Sequence, residues 1–261
     1  MRRAFAIVAM AALALASCGD QDGDATAGDE SEPRELIVSA AASLTDAFTD
    51  LGAAYEDANP ELTVTFNFGP SDGLATQINE GAPVDVFASA SPTWMDAVQD
   101  DGPGVTGRTD FARNELAIVV PTDNPAGIAS LDDLAEDGVQ IVIAAEGVPA
   151  GDYAREIFTN AGILDEAMAN VASNVEDVRS VVTAVATGEA DAGIVYVTDV
   201  TADVADQVTA IEIPDDVNVI ATYPIAVVTG SEEADLAQGF VDLVLGDGQQ
   251  VLAEHGFLPA A

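Results

Sequence analysis

Four places in the chain set a small or hydroxyl-bearing residue between a strand-like run and a helix-like one. Ser43 follows the apolar run 36–40 and opens a segment with helical spacing, and Ser71 does the same after 62–68. Ala150, with Gly151, follows 139–144 and precedes a helix. Val178 falls in the first turns of a helix expected to start after Asn174. In an open α/β sheet, ligands collect at the carboxyl ends of strands, where helix N-termini present free N–H groups. Converging helix N-termini, two of them with hydroxyls and none with Lys or His, form a neutral pocket suited to a small anion. Each residue alone has a plainer use. A Ser ahead of a helix is most often a cap, and Tyr196, at the end of a strand, reads as half-buried packing.

A rival chemistry shares one of these residues. Gly69-Pro70-Ser71-Asp72-Gly73 fits the G-x-S-x-G nucleophile elbow, and Asp199 and His255 follow in the chain order of an α/β-hydrolase triad. There is no His-Gly-Gly-Gly motif to supply the oxyanion hole. One Cys and one His exclude an intrachain disulfide and a Cys/His zinc site. Asp20, Asp22 and Asp24 suggest a calcium loop, but Ala25 and Ser31 stand where its Gly and final Glu are required. No resident cofactor is expected, and any metal must arrive as a ready-made complex.

The charge balance narrows the partners. All seven basic residues are Arg, against 46 Asp and Glu, giving a formal charge of −39. Nucleic acid is excluded, since phosphate contacts need Lys and Arg clusters. Adhesion to an anionic membrane through a basic patch is excluded for the same reason.

Residues 1–18 read as an export signal. Arg2 and Arg3 precede an apolar stretch too short to span a bilayer comfortably, which runs into Leu15-Ala16-Ser17-Cys18. That ending resembles a bacterial lipobox, in which Cys18 would be acylated and become the first mature residue. Residues 19–33 are polar and acidic, with no apolar period, and read as a flexible tether between lipid and domain.

From Glu35 onward, short apolar runs alternate with helix-period segments, the pattern of α/β units on largely parallel sheets. Strands are expected at 36–40, 62–68, 84–88, 116–120, 139–144, 192–197 and 223–228. Helices are expected after Ser43, at 74–79, around 94–98, and at 153–161, 175–187, 232–244 and 249–255. Ser43-Leu44-Thr45-Asp46 has the form of a capping box. The reading is an α/β fold of two lobes, residues 34–114 plus 223–261 and residues 115–222, with crossings near 113–115 and 221–224.

Seven motifs in order carry a family resemblance: Ala40-Ala41-Ala42-Ser43-Leu44, Phe68-Gly69-Pro70-Ser71-Asp72-Gly73-Leu74, Gly81-Ala82-Pro83-Val84-Asp85-Val86-Phe87, Val148-Pro149-Ala150-Gly151-Asp152-Tyr153-Ala154, Glu176-Asp177-Val178-Arg179, Gly193-Ile194-Val195-Tyr196 and Tyr223-Pro224-Ile225-Ala226-Val227-Val228. From about Leu36 to Phe257 the chain resembles the ModA family of molybdate-binding proteins, solute receptors of bacterial molybdate ABC importers. The resemblance implies a two-lobed periplasmic-binding-protein fold of type II, with two mixed, largely parallel sheets and a hinge. It implies a monomeric receptor, not an enzyme, that captures molybdate and tungstate outside the membrane and delivers them to an ABC permease. A binder of another tetrahedral oxyanion, such as sulfate, is the near alternative. By resemblance, Ser43 and Ser71 hold the oxyanion through hydroxyl and amide, Ala150 and Val178 through amides, and Tyr196 through its hydroxyl. One departure stands out: Ser71 sits between Pro70, which has no N–H, and Asp72, whose carboxylate must turn away from a dianion.

Overall fold

The computed structural model describes residues 34–260. Cys18, the export signal and the acidic tether lie outside the described residues. Eight strands form a continuous hydrogen-bonded path, β2-β1-β3-β9-β4-β7-β5-β6, with β8 and β10 both paired to β4. The strands in chain order are β1 (Arg34–Ala41), β2 (Leu62–Gly69), β3 (Val86–Ala88), β4 (Val105–Pro121) and β5 (Ile141–Ala144), then β6 (Val171–Val175), β7 (Ala192–Tyr196), β8 (Val208–Glu212), β9 (Ile220–Val228) and β10 (Leu258–Pro259).

Pairing is parallel toward both ends of this path and antiparallel in its middle. β1 lies parallel to β2 and β3, and β5 parallel to β6 and β7. β9 runs antiparallel to β3 and β4, as does β7 to β4. The two sheets expected from sequence are thus joined by β4 and β9. The first part of β4 pairs with β9, from Val105↔Val228 to Glu115↔Ile220. The second part pairs with β7 on one edge and β8 on the other. The crossings expected near 113–115 and 221–224 are these two strands side by side, with Arg113 opposite Thr222 and Asn114 opposite Ala221. Arg113 and Glu115 do not break the strand, because ladder bonds satisfy their backbone while Asn114 turns inward and is buried.

The helices are α1 (Thr45–Ala58), α2 (Ser71–Asn79), α3 (Pro92–Asp101), α4 (Pro149–Ala161), α5 (Leu164–Ala169), α6 (Val178–Ala186), α7 (Ala234–Leu245) and α8 (Gly248–Glu254). Strand β5 is buried along its whole length, as expected where helices cover both faces of a parallel strand. Phe48 anchors the packing of α1, its ring 5.8 Å from those of Phe111 on β4 and Phe240 on α7. No described helix is long and apolar enough to cross a membrane.

Two sequence expectations give way. The helix expected at 175–187 begins only at Val178, since residues 171–175 form β6 beside β5 and Asp177 caps α6 by accepting from Ser180 N–H at 2.8 Å. The expected capping box at Ser43 does not form. Ser43 sits in a short 3-10 turn, Ala42–Leu44, ahead of α1, and its hydroxyl meets Tyr223 while Asp46 pairs with Arg179. Helix α5 and strands β8 and β10 were not expected, being too short or too exposed for their periodicity to register.

Candidate functional site

Six strand ends converge on one cavity. Ala41, Ala42 and Ser43 reach it from the end of β1, Gly69, Pro70 and Ser71 from β2, and Ala90 from beyond β3. Opposite them, Val148, Pro149 and Ala150 follow β5, Asp177 and Val178 follow β6, and Tyr196 ends β7. The cavity encloses about 20 Å³, against the roughly 10–15 Å³ that one water requires. The five residues singled out from sequence, Ser43, Ser71, Ala150, Val178 and Tyr196, all line it.

Local sequence explains how each arrives. Pro70 takes the N-cap of α2 in extended conformation, so its missing N–H costs nothing and the free amides of the first turn begin at Ser71. Pro149 and Ala150 are the first two residues of α4, and Val178 is the first of α6. Gly151 allows α4 to start so close to β5. A Cβ there would lie 2.3 Å from the carbonyl oxygens of Ala144 and Ala145, a distance no side chain tolerates. Asp72 does not line the cavity, which answers the concern its position raised; it lies in the first turn of α2, where an acid complements the helix dipole.

The lining is neutral apart from Asp177, and no Arg or His side chain contributes to it. Both serines are buried, and each already has a partner behind it. Ser71 Oγ accepts from Ala90 N–H at 3.0 Å, and Ser43 Oγ lies 2.9 Å from the Tyr223 hydroxyl. Tyr196 is 1% exposed and its hydroxyl has no partner in the protein. A buried polar atom left so is uncommon and costs about 1–3 kcal/mol. Burial pushes the Tyr196 and Tyr223 hydroxyls above the ordinary phenol range, so both keep their protons at neutral pH. Asp199 accepts from Tyr196 N–H at 3.1 Å, and burial pushes its carboxyl up to about 7 against the opposing charge of Arg179.

Three contacts tie the two sides of the cavity together. Trp94 Nε1 donates to Gly147 O at 2.8 Å, and the Tyr153 hydroxyl to Ala90 O at 3.3 Å. Arg179 donates to Ala42 O at 3.0 Å and to Asp46 at 2.7 Å. Sequence reasoning did not single out Ala90, Tyr223 or Arg179 for these roles. Ala90 follows a strand and precedes a helix, so the rule that found Ser43 and Ser71 would have found it too.

The hydrolase triad is not assembled. Ser71 is bonded to the Ala90 amide, and Asp199 to the Tyr196 amide. His255 sits near the surface, 2.8 Å from Asp50. A nucleophile and its base must share a hydrogen bond, and Ser71 and His255 do not.

Strand ends and helix N-termini facing one another across a small neutral cavity define a binding protein for a small solute. The chain matches the family model for bacterial extracellular solute-binding proteins over residues 36–258 and belongs to that family. Within it, the chain is a member of the ModA group. It is 38% identical to the molybdate-binding protein ModA of Mycobacterium tuberculosis H37Rv over 253 residues, 96% of this chain and 95% of that protein. It is 33% identical to ModA of Escherichia coli K12 over 231 residues, 85% of this chain and 88% of that one. The periplasmic molybdate-binding protein of Azotobacter vinelandii superposes with a TM-score of 0.76 at 21% identity, covering 87% of this chain and all of that one. The sulfate-binding protein SubI of M. tuberculosis superposes with 0.77 at 16% identity, covering 87% of each chain. These two likenesses establish the periplasmic-binding-protein fold.

Proposed function

We propose that this protein captures molybdate, and tungstate, on the outer side of the membrane and hands it to an ABC importer, without catalysing a reaction. The observation that carries the reading is the cavity itself: Ser43, Ser71, Ala150, Val178 and Tyr196 bring hydroxyls and helix-N-terminal amides to one small space without a cationic side chain. Identity to ModA proteins along nearly the whole chain supports molybdate over sulfate, since the sulfate-binding relative shares only the fold. A chain from Clostridium difficile assigned as the substrate-binding domain of a molybdenum ABC transporter is 30% identical over 87% of this chain, which supports a permease as partner.

Residues 34–114 plus 223–261 form one lobe in this proposal and residues 115–222 the other, with β4 and β9 as the hinge. The oxyanion is held by the Ser43 and Ser71 hydroxyls and amides, the Ala150 and Val178 amides, and the Tyr196 hydroxyl. Closure brings Trp94 to Gly147 and Arg179 to Ala42 and Asp46, bonds that cross between these lobes. The formal charge of −39 does not oppose anion capture decisively, because surface acids beyond a Debye length of about 8 Å are screened while the helix N-termini act at contact. Cys18 carries the lipid that keeps the monomeric receptor at the membrane.

Calorimetric titration with molybdate, tungstate, sulfate and phosphate tests the reading. One molybdate or tungstate bound per chain, with sulfate and phosphate far weaker, is the expected result. Sulfate binding as tightly as molybdate would overturn it.

A further inference from the structure

Behind the cavity, hydrogen bonds lead away from Ser43 into the core. The Tyr223 hydroxyl lies 2.9 Å from Ser43 Oγ, and Asn114 Nδ2 lies 3.4 Å from that hydroxyl and 2.8 Å from Thr198 Oγ1. The polarity of this chain follows from its far end. The Glu115 backbone N–H can only donate, and it meets Asn114 Oδ1 at 3.0 Å. That contact fixes the orientation of the amide, so Nδ2, which can only donate, faces Tyr223.

Tyr223 therefore accepts from Asn114 and has its own proton to place. The residue is fully buried, and Ser43 Oγ is the acceptor within reach. Were Ser43 to donate instead, the Tyr223 proton would be stranded in the core without an acceptor, an arrangement folded proteins avoid. Ser43 Oγ thus accepts from behind, and its own proton is left for the cavity. Ser71 reaches the same state by a simpler route, because the Ala90 N–H that meets its Oγ can only donate. Asp177, the acidic side chain in the lining, turns to cap α6.

We propose that Tyr223, oriented by Asn114, is a positioning residue that holds Ser43 as a hydrogen-bond donor toward the cavity, and that this polarity selects oxyanions carrying no proton. The inference rests on the proposed function and names what sets its selectivity. A fully deprotonated oxyanion accepts at every oxygen. Hydrogenphosphate brings a P–O–H that needs an acceptor, and in a ring of donors that proton faces other protons. A site built for one hydrogen-bonding pattern rejects the mismatched analogue strongly, because both groups are left unpaired.

Sulfate and hydrogenphosphate are tetrahedral, similar in size and, in mildly alkaline buffer, equal in charge. They differ by that one proton. The experiment measures how each competes with bound molybdate on the full chain, in the parent and in Tyr223→Phe and Asn114→Asp. Tyr223→Phe frees the Ser43 lone pairs to face the cavity. Asn114→Asp reverses the chain, since its carboxylate accepts from Tyr223 and Ser43 must then donate backward. In both variants molybdate should bind more weakly. The affinity ratio of hydrogenphosphate to sulfate should rise by about tenfold or more, the size of a hydrogen bond to a charged partner. A merely structural role for Tyr223 lowers both anions alike, and a ratio that stays at the parental value overturns the proposal. So does hydrogenphosphate that fails to compete in either variant. Asn114→Asp keeps the test open if loss of the Tyr223 hydroxyl prevents folding. A parent chain that takes up no molybdate refutes the proposed function and this inference together. A parent that binds it, with the ratio unmoved in the variants, refutes this inference alone.

Discussion

Replacing Tyr196 with Phe should move affinity and stability in opposite directions. The Tyr196 hydroxyl is buried, lines the cavity and has no partner in the protein. Without ligand it costs the folded state about 1–3 kcal/mol as an unsatisfied polar atom. Removing the oxygen leaves the ring in its edge-on contact with Tyr223, where the centroids are 5.8 Å apart, so packing is kept. In a domain of this size each kcal/mol moves the melting temperature by about 2–4 °C, so the ligand-free variant should melt no lower than the parent and up to several degrees higher. A hydrogen bond from that hydroxyl to a charged ligand is worth about 1.5–3 kcal/mol, so molybdate affinity should fall roughly 10- to 150-fold. Thermal melts without ligand, paired with molybdate titrations of parent and variant, check both signs. A Tyr196→Phe protein that melts lower and binds molybdate with parental affinity would show the tyrosine to be packing, and the reasoning from its orphaned hydroxyl would fail.

Other changes probe the remaining parts. Ala150→Pro removes an amide at the start of α4 and should weaken molybdate by roughly tenfold or more, whereas Ala150→Gly keeps the amide and should cost far less; titration of both, after confirming parental melts, separates amide from methyl. Asp199 holds its proton more tightly folded, at about 7, than its ordinary 3.8, so its contribution to stability is full below pH 4 and is lost as pH rises through 7. Asp199→Asn should therefore flatten that loss and melt higher than the parent at pH 8, the difference vanishing near pH 4. Cys18→Ser should abolish lipid labelling and either leave the chain unprocessed or release it from the membrane fraction, with molybdate affinity unchanged; persistent labelling would refute the lipid anchor.

Much of this molecule is written locally. Alternating apolar runs and helix-period segments place β1, β2, β5 and β7 to within a residue or two, because burial on both faces of a parallel strand demands continuous apolar sequence. The junctions at Ser43, Ser71, Ala150 and Val178 were legible for a related reason. A strand that ends where a helix begins leaves amides free, and small or hydroxyl residues there leave room for a ligand. What sequence could not determine depends on parts of the chain far apart. That β4 runs unbroken through Arg113 and Glu115 is decided by β9, more than a hundred residues away, whose pairing overrides the polar composition of that stretch. Whether Ser43 caps a helix or presents its proton to the cavity is decided by Tyr223, 180 positions away, and Tyr223 in turn by Asn114. Hydroxyl and amide polarity is set by whichever partner arrives, so the chemistry of this site took its direction only when the strands were brought side by side.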